Sequence, residues 1–220
     1  MDLIAILKNV DLFSGLDKTQ LLTLADLTKK RTVPKNTLVI SEGDTSSSLF
    51  IIKTGSVNVM LTNEHGKEII LSTLRQGDYF GELSLFDEEP RSANVITAEK
   101  CEFLTLNKQD FLPMLEKYPS MAIAAIKYLC HRVRLVTNIA EGLALTDVYG
   151  RLVKLLNDLA VADESGRLII KYSLTHKEIA MRVGSSREMV SRILSELEKG
   201  AYISIEHKKI TLNKKLPIAW

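Results

Sequence analysis

The run Gly77-Asp78-Tyr79-Phe80-Gly81-Glu82-Leu83-Ser84-Leu85-Phe86, followed by Asp87-Glu88-Glu89-Pro90-Arg91-Ser92-Ala93, gathers the first residues able to do chemistry. Gly81 can open a tight turn whose exposed backbone N–H groups suit an anionic oxygen. Arg91 offers a planar fork of donors that matches a phosphate, and Ser92 places a hydroxyl beside it. An ionised Glu82 can only accept hydrogen bonds, so next to a phosphate site it calls for a hydroxyl such as a ribose 2′-OH. Phosphate donors beside a sugar acceptor describe a nucleotide. The same spacing equally allows a Glu82–Arg91 ion pair that merely closes a loop, and residue types alone leave both readings open.

A second group lies between Thr175 and Leu197. Thr175-His176-Lys177-Glu178 spells a capping box, with Ile179, Ala180 and Val183 apolar behind it. Gly184 supplies a turn, and Ser185-Ser186-Arg187-Glu188 opens another helix with Val190, Ile193, Leu194 and Leu197 inside. Two short helices joined at a glycine, with a small alanine on the first, follow helix-turn-helix grammar. Arg187, Glu188, Ser191 and Arg192 share one polar face of the second helix, with Ser186 ahead of them. Arginine can fork onto guanine O6 and N7, and glutamate can accept from cytosine N4. Glu188 has two rival roles: a capping box with Ser185, or a pair with Arg192 across one helical turn.

These residues need elements to hold them. Leu3, Ile4 and Leu7, then Leu21, Leu24, Ala25 and Leu27, recur at helical spacing within residues 1–30. From Arg31 to about Leu106 the texture changes to short segments, with Val57, Val59 and Leu61 alternating as in a half-buried strand. Turn signals at Glu42-Gly43-Asp44, Thr54-Gly55-Ser56, Asn63–Lys67 and Gln76-Gly77-Asp78 punctuate it, as in an antiparallel barrel or sandwich. Pro119 then suits the first turn of a long helix. Along it Ile123, Ile126, Cys130, Val133, Thr137, Ala140 and Ala144 step by three and four, a heptad seam that predicts pairing with a partner helix. Leu129, Val136 and Leu143 add a second stripe, so the helix is expected to sit between its own barrel and a partner subunit. Thr146 and Asp147, good N-caps, break the pattern before Val148, Leu152, Leu155, Leu156 and Leu159 restart it, and a hinge is expected there. Strand-like runs at Leu168–Tyr172, Tyr202–Ile205 and Lys209–Leu212 follow, the last two forming a hairpin about Glu206-His207-Lys208.

Composition narrows the class. The 220 residues are 45% hydrophobic and 25% charged, the balance of an ordinary globular protein. Met1-Asp2-Leu3-Ile4 lacks the basic and apolar regions of a signal peptide, and no apolar run reaches the ~20 residues of a membrane helix. Cys101 and Cys130 form neither a disulfide framework nor a metal spacing, and His65, His131, His176 and His207 are scattered. A cytoplasmic location follows as the expectation. The net charge of +2 divides unevenly: residues 146–220 carry 13 Lys+Arg against 9 Asp+Glu, and residues 1–145 carry 16 against 18. The positive end favours a polyanionic partner. No nucleophile–base pair or phosphate-transfer loop is found, which argues against an enzyme.

The run Gly81-Glu82-Leu83-x-Leu85 with Pro90-Arg91-Ser92-Ala93 resembles the phosphate-binding cassette of cyclic-nucleotide-binding domains. Ser-Arg-Glu-x-Val-x-Arg from Ser186 to Arg192 resembles the recognition helix of cyclic AMP receptor proteins. The whole chain is thus similar to the bacterial cyclic AMP receptor protein and fumarate–nitrate regulator (CRP-FNR) family of transcription regulators. The resemblance implies an α+β chain: an antiparallel β-roll sensor over 1–118, a dimerisation helix over 119–145, and a winged helix-turn-helix over 146–220. It implies effector contacts from Gly81, Glu82, Leu83, Arg91 and Ser92, and purine contacts from the pair Thr137-Asn138, one from each subunit. Asn138 departs from the family's usual serine, which puts the identity of the base in doubt. The resemblance further implies DNA contacts from Ser186, Arg187, Glu188, Ser191 and Arg192, with half-sites like TGTGA. Cyclic AMP is the expected effector, with no cofactor or metal, a homodimer on palindromic double-stranded DNA, and Lys29-Lys30-Arg31 either solvated or against RNA polymerase. The alternatives are a regulator of this family answering cyclic di-GMP, another ligand or none, and a cyclic-nucleotide signalling module. The latter leaves Thr175–Leu212 without a role.

Overall fold

In the computed structural model, which describes residues 3–217, the chain begins with helix α1 (Leu3–Lys8), a 3₁₀ turn at Asp11–Phe13 and helix α2 (Lys18–Leu27). Met1, Asp2 and the residues beyond 217 lie outside the described part. Asp17 caps α2 through a capping box with Gln20. The strands are β1 (Lys29–Val33), β2 (Leu38–Ile40), β3 (Ser48–Thr54), β4 (Val57–Thr62), β5 (Glu68–Leu74), β6 (Tyr79–Phe80), β7 (Asn94–Thr97) and β8 (Cys101–Asn107). A one-turn helix, α3 (Leu83–Phe86), separates β6 from β7. All four turn signals fall between consecutive strands, as their glycines required.

The strands form two four-stranded sheets, ordered β1-β8-β3-β6 and β2-β7-β4-β5. The antiparallel arrangement expected from the turn spacing is present, as the roll that the family resemblance implies. Its interior is filled by Ile40, Phe50, Ile52, Val59, Phe80 and Phe103 among others. Phe50 stacks on Phe80 at 5.1 Å, and Phe103 meets Phe80 edge-on at 5.5 Å, a favoured aromatic geometry. β3 reads as a continuous apolar run because both its faces are covered. Its other face, with Leu49, Ile51, Leu104 and Leu106, packs on the N-terminal helices.

Helix α4 (Lys108–Lys117) follows β8 and has no counterpart in the sequence reading. Pro113 inside it reads as a breaker, yet the helix forms because Phe111 and Met114, three apart, bury against the sheet. The long helix is α5 (Pro119–Leu145), starting at the proline that suits its first turn. At about 100° per residue, Met121, Ala125, Tyr128 and Arg132 fall in one stripe. Met121, Ala125 and Tyr128 of that stripe pack on the apolar core of the first unit. The expectation that Leu129, Val136 and Leu143 carry this inner contact is therefore corrected: Leu129 is half-buried, while Val136 and Leu143 are exposed. The seam residues Ile123, Ile126, Cys130, Val133, Thr137, Ala140 and Ala144 lie on the opposite side and are all exposed in the single chain.

The chain divides into two compact units, the first up to Val136 without residues 64–70, the second holding that segment and everything from Thr137. In the second, Asp147 caps α6 (Val148–Leu159) by accepting from the Gly150 N–H at 2.7 Å. Two short strands, β9 (Val161–Ala162) and β10 (Leu168–Ile169), precede α7 (His176–Val183) and α8 (Arg187–Lys199). The hairpin is β11 (Ile203–Glu206) with β12 (Lys209–Leu212), and the sheet order is β11-β12-β10-β9. Leu152, Leu156, Ile179, Val190, Leu194 and Leu197 are central to the core of this unit.

Candidate functional site

β6 delivers the chain to Gly81 at φ 82°, a left-handed conformation that glycine adopts without strain. A Cβ there would lie 2.6 Å from Arg91 Nη1 and 2.8 Å from the Ser48 carbonyl oxygen, so closeness as well as φ selects glycine. Beyond it Glu82 is 5% exposed and Arg91 4% exposed, two buried charged groups in one small region. Gly81, Glu82, Leu83, Arg91 and Ser92 line a single cavity. The structure thus brings together the five cassette residues singled out from the sequence.

The ion pair that spacing allowed between Glu82 and Arg91 is not formed among the described residues. Arg91 instead donates through Nη1 to the Gly81 carbonyl at 2.6 Å, through Nη2 to the Ser48 carbonyl at 2.8 Å and through Nε to Ser46 Oγ at 3.4 Å. Burial pushes the Glu82 carboxyl above its usual range, and the cations Arg132 and Arg91 pull it partly back. Burial also lowers Arg91, opposed by Glu82 and Asp44. A pocket holding two fixed guanidinium charges and one reluctant carboxylate is suited to an anion joined to a hydroxyl.

Two polar lining residues escaped the sequence reading. Tyr128 and Arg132 reach the cavity from α5. Tyr128 stacks on Tyr79 at 4.2 Å and donates its hydroxyl to the Tyr79 carbonyl at 2.9 Å. Arg132 donates to Ser72 Oγ at 2.8 Å, which holds its charge near Glu82. Their i, i+4 spacing on the face opposite the seam is the signal that could have found them. Thr137 and Asn138 lie on α5 in the second unit, both exposed.

The second surface is built by α7 and α8. The Thr175–Glu178 capping box forms as read, with the Thr175 N–H donating to Glu178 Oε2 at 2.7 Å and the Glu178 N–H to Thr175 Oγ1 at 3.1 Å. Gly184 ends α7 in the left-handed region at φ 64°. The Ser185 N–H still donates to the Ala180 carbonyl, so Ser185 belongs to the end of α7. Ser186 is therefore the N-cap of α8, accepting from the Met189 N–H at 3.2 Å, and the rival Ser185–Glu188 capping box does not form. No Glu188–Arg192 ion pair is formed among the described residues. Ser186, Arg187, Glu188 and Arg192 are exposed and Ser191 half-buried on one face, while Val190, Ile193, Leu194 and Leu197 bury the other. With both structural rivals unrealised, Glu188 is available to a ligand. The β11–β12 turn is tight: Glu206 pairs with Lys209, and His207 and Lys208 turn the chain at φ 49° and 64°.

Residues 30–118 match the model of the cyclic nucleotide-binding domain, and residues 150–215 that of the Crp-like helix-turn-helix domain. The two together define a transcription regulator with a nucleotide-sensing half and a DNA-binding half. The chain is 34% identical over 182 residues to the cAMP-activated global transcriptional regulator CRP of Salmonella typhimurium, covering 81% of this chain and 87% of that one. It is 29% identical over 211 residues to the CRP-like cAMP-activated global transcriptional regulator of Mycobacterium tuberculosis, covering 94% of each. In structure it resembles the c-di-GMP responsive global regulator CLP of Xanthomonas campestris, with a TM-score of 0.80 at 24% identity over 90% of this chain and all of that one. The chain belongs to the CRP/FNR family of cyclic-nucleotide-binding, DNA-binding transcription regulators. Among the described residues no helix is long and apolar enough to cross a membrane, and no cluster suits a metal ion.

Proposed function

We propose that this chain is a cytoplasmic homodimer whose affinity for a two-fold symmetric DNA site is controlled by a cyclic purine nucleotide, with cyclic AMP the effector. The observation that carries this reading is the cavity where the buried Arg91 and Glu82, cation and acceptor, lie beside Tyr128 and Arg132 of α5. Arg91 and Ser92 receive the cyclic phosphate, the Gly81 turn and Leu83 wall the pocket, and Glu82 accepts from the ribose hydroxyl. Thr137 and Asn138, one from each subunit, meet the purine edge. The choice of cyclic AMP is supported by relatives named as cAMP-activated regulators.

Residues 1–118 act as the sensor, 119–145 as the dimerisation helix and 146–220 as the reader of DNA. The exposed seam supports the dimer: Ile123, Ile126 and Val133 are 54%, 55% and 64% exposed, a surface that a second α5 would cover. Ligand contacting both the cassette and α5 favours one dimer arrangement over another, a population shift carried to α8. Arg187, Glu188 and Arg192 then read base edges, Ser186 and Ser191 contact the backbone, and the two α8 helices lie about 34 Å apart, one DNA turn. The exposed Lys29-Lys30-Arg31 run is read first as a solvated charge run, with contact to RNA polymerase the alternative.

Calorimetric titration against cyclic AMP, cyclic GMP and cyclic di-GMP tests the effector. Wild type should bind cyclic AMP, Arg91→Ala should bind it far more weakly, and Asn138→Ser should change which base is preferred. Heat from cyclic di-GMP alone would replace the effector. Tight DNA binding with no heat from any nucleotide would make the cassette a structural relic.

A further inference from the structure

We propose that Ser46, in the loop between β2 and β3, is a positioning residue that holds the Arg91 guanidinium in the orientation that receives the effector's phosphate. The inference rests on the effector reading above and adds a side chain outside the cassette.

Arg91 joins two segments distant in sequence. Its N–H donates to the Asp44 carbonyl at 2.8 Å, and its own carbonyl accepts from the Gly43 N–H at 2.9 Å. Its side chain crosses from the cassette, at Gly81, to Ser46 of the same loop and to Ser48 at the start of β3. A guanidinium carries five N–H donors. Three are engaged by the chain itself, which leaves one N–H on each of Nη1 and Nη2 for an anion. The fork is therefore set before the anion arrives, and anything that loosens it reduces affinity through the added cost of ordering.

Two of the three restraints are backbone carbonyls, which any residue type would supply. Among the described residues Ser46 is the one side chain that accepts from Arg91, so it is the point where the sequence tunes the fork. Asp44, in the same loop, adds negative charge that favours the cationic arginine. Ser46 is itself exposed, so replacing it removes a hydrogen bond and no core packing.

The test titrates wild type, Ser46→Ala, Ser46→Thr and Arg91→Lys with cyclic AMP and with adenosine, which lacks the phosphate, alongside thermal melting. Without this 3.4 Å bond the guanidinium is free to reorient, and the cost of ordering it again on binding should weaken cyclic AMP binding by about three- to tenfold in Ser46→Ala. Adenosine affinity should stay at the wild-type value, melting temperature should fall only slightly, and Ser46→Thr should restore cyclic AMP binding. In an Arg91→Lys background, where no Nε–H exists, Ser46→Ala should have no further effect. Unchanged cyclic AMP binding in Ser46→Ala overturns the proposal. So does an equal loss of both ligands, which would mark a structural loop, or the same loss in the Arg91→Lys background. Wild type that binds no cyclic nucleotide overturns the effector reading itself, and this assignment with it.

Discussion

Gly81→Ala puts the cassette under a load that can be worked out atom by atom. At φ 82° an alanine is strained before it meets any neighbour, a cost of about 1–2 kcal/mol. Its Cβ would sit 2.6 Å from Arg91 Nη1 and 3.2 Å from Ile40 Cδ1, and the backbone oxygen of Ser48 at 2.8 Å cannot swing aside as a side chain can. Arg91 must then move, and its bond to the Gly81 carbonyl, worth about 1.5–3 kcal/mol for a charged donor, is lost or lengthened. Together these predict destabilisation of about 3 kcal/mol. Gly66 supplies the control: its φ is 73° and an added Cβ meets nothing within 4 Å, so Gly66→Ala carries the backbone strain alone. Urea denaturation should separate the two variants by about 2 kcal/mol, and calorimetry should find cyclic AMP binding reduced at least tenfold in Gly81→Ala only. Equal stabilities for the two variants, with effector binding intact in both, would refute the claim that Gly81 and Arg91 form one interlocked site.

Other consequences follow from the same geometry. Val133→Glu replaces an apolar seam contact, worth about 1.5–3 kcal/mol per buried side chain, with facing like charges, and should give monomers by sedimentation at micromolar concentration. Arg187→Ala should cost about 1–3 kcal/mol of specific DNA binding and relax preference at one guanine, read by selection from a random DNA pool. The wing turn places two non-glycine residues in the left-handed region, so His207→Asn with Lys208→Gly should raise stability by about 1 kcal/mol in thermal unfolding. Glu82 has a raised carboxyl pKa, so its contribution to the stability of the empty protein is present below its ordinary value of 4.5 and is lost as pH rises through the raised value. Denaturation of Glu82→Gln across that range should lack this part of the slope.

The residues that were legible in the sequence share one property: their structure is decided locally. The capping box at Thr175, the cap at Asp147, the proline opening α5 and the four strand turns each depend on side chains within a few positions of one another. Arg91 shows the opposite case. Its bonds run to Gly81, Ser46 and Ser48, and the last two lie 45 and 43 positions away, so spacing could offer only a choice between ligand and ion pair. Tyr128 and Arg132 carry no comparable local signal, because the seam is the longer apolar stripe and their own face is marked only by Met121 and Ala125. Helix α4 has no strong local signal, since Pro113 opposes a helix, and the burial of Phe111 and Met114 that decides the matter is tertiary. At α8 two adjacent serines left the cap ambiguous by one residue, and the left-handed Gly184 settled it by keeping Ser185 with α7.

The most direct measurement is the affinity of the wild-type chain and Arg91→Ala for a two-fold symmetric DNA site, taken from a selected pool, with and without saturating cyclic AMP at fixed salt. Coupling between two sites in such regulators is expected at about 1–3 kcal/mol, so cyclic AMP should tighten wild-type binding by about 5- to 150-fold and leave Arg91→Ala unmoved. The same affinity with and without nucleotide in the wild-type protein would contradict the account, because the buried cassette would then have no hold on the helix that reads DNA.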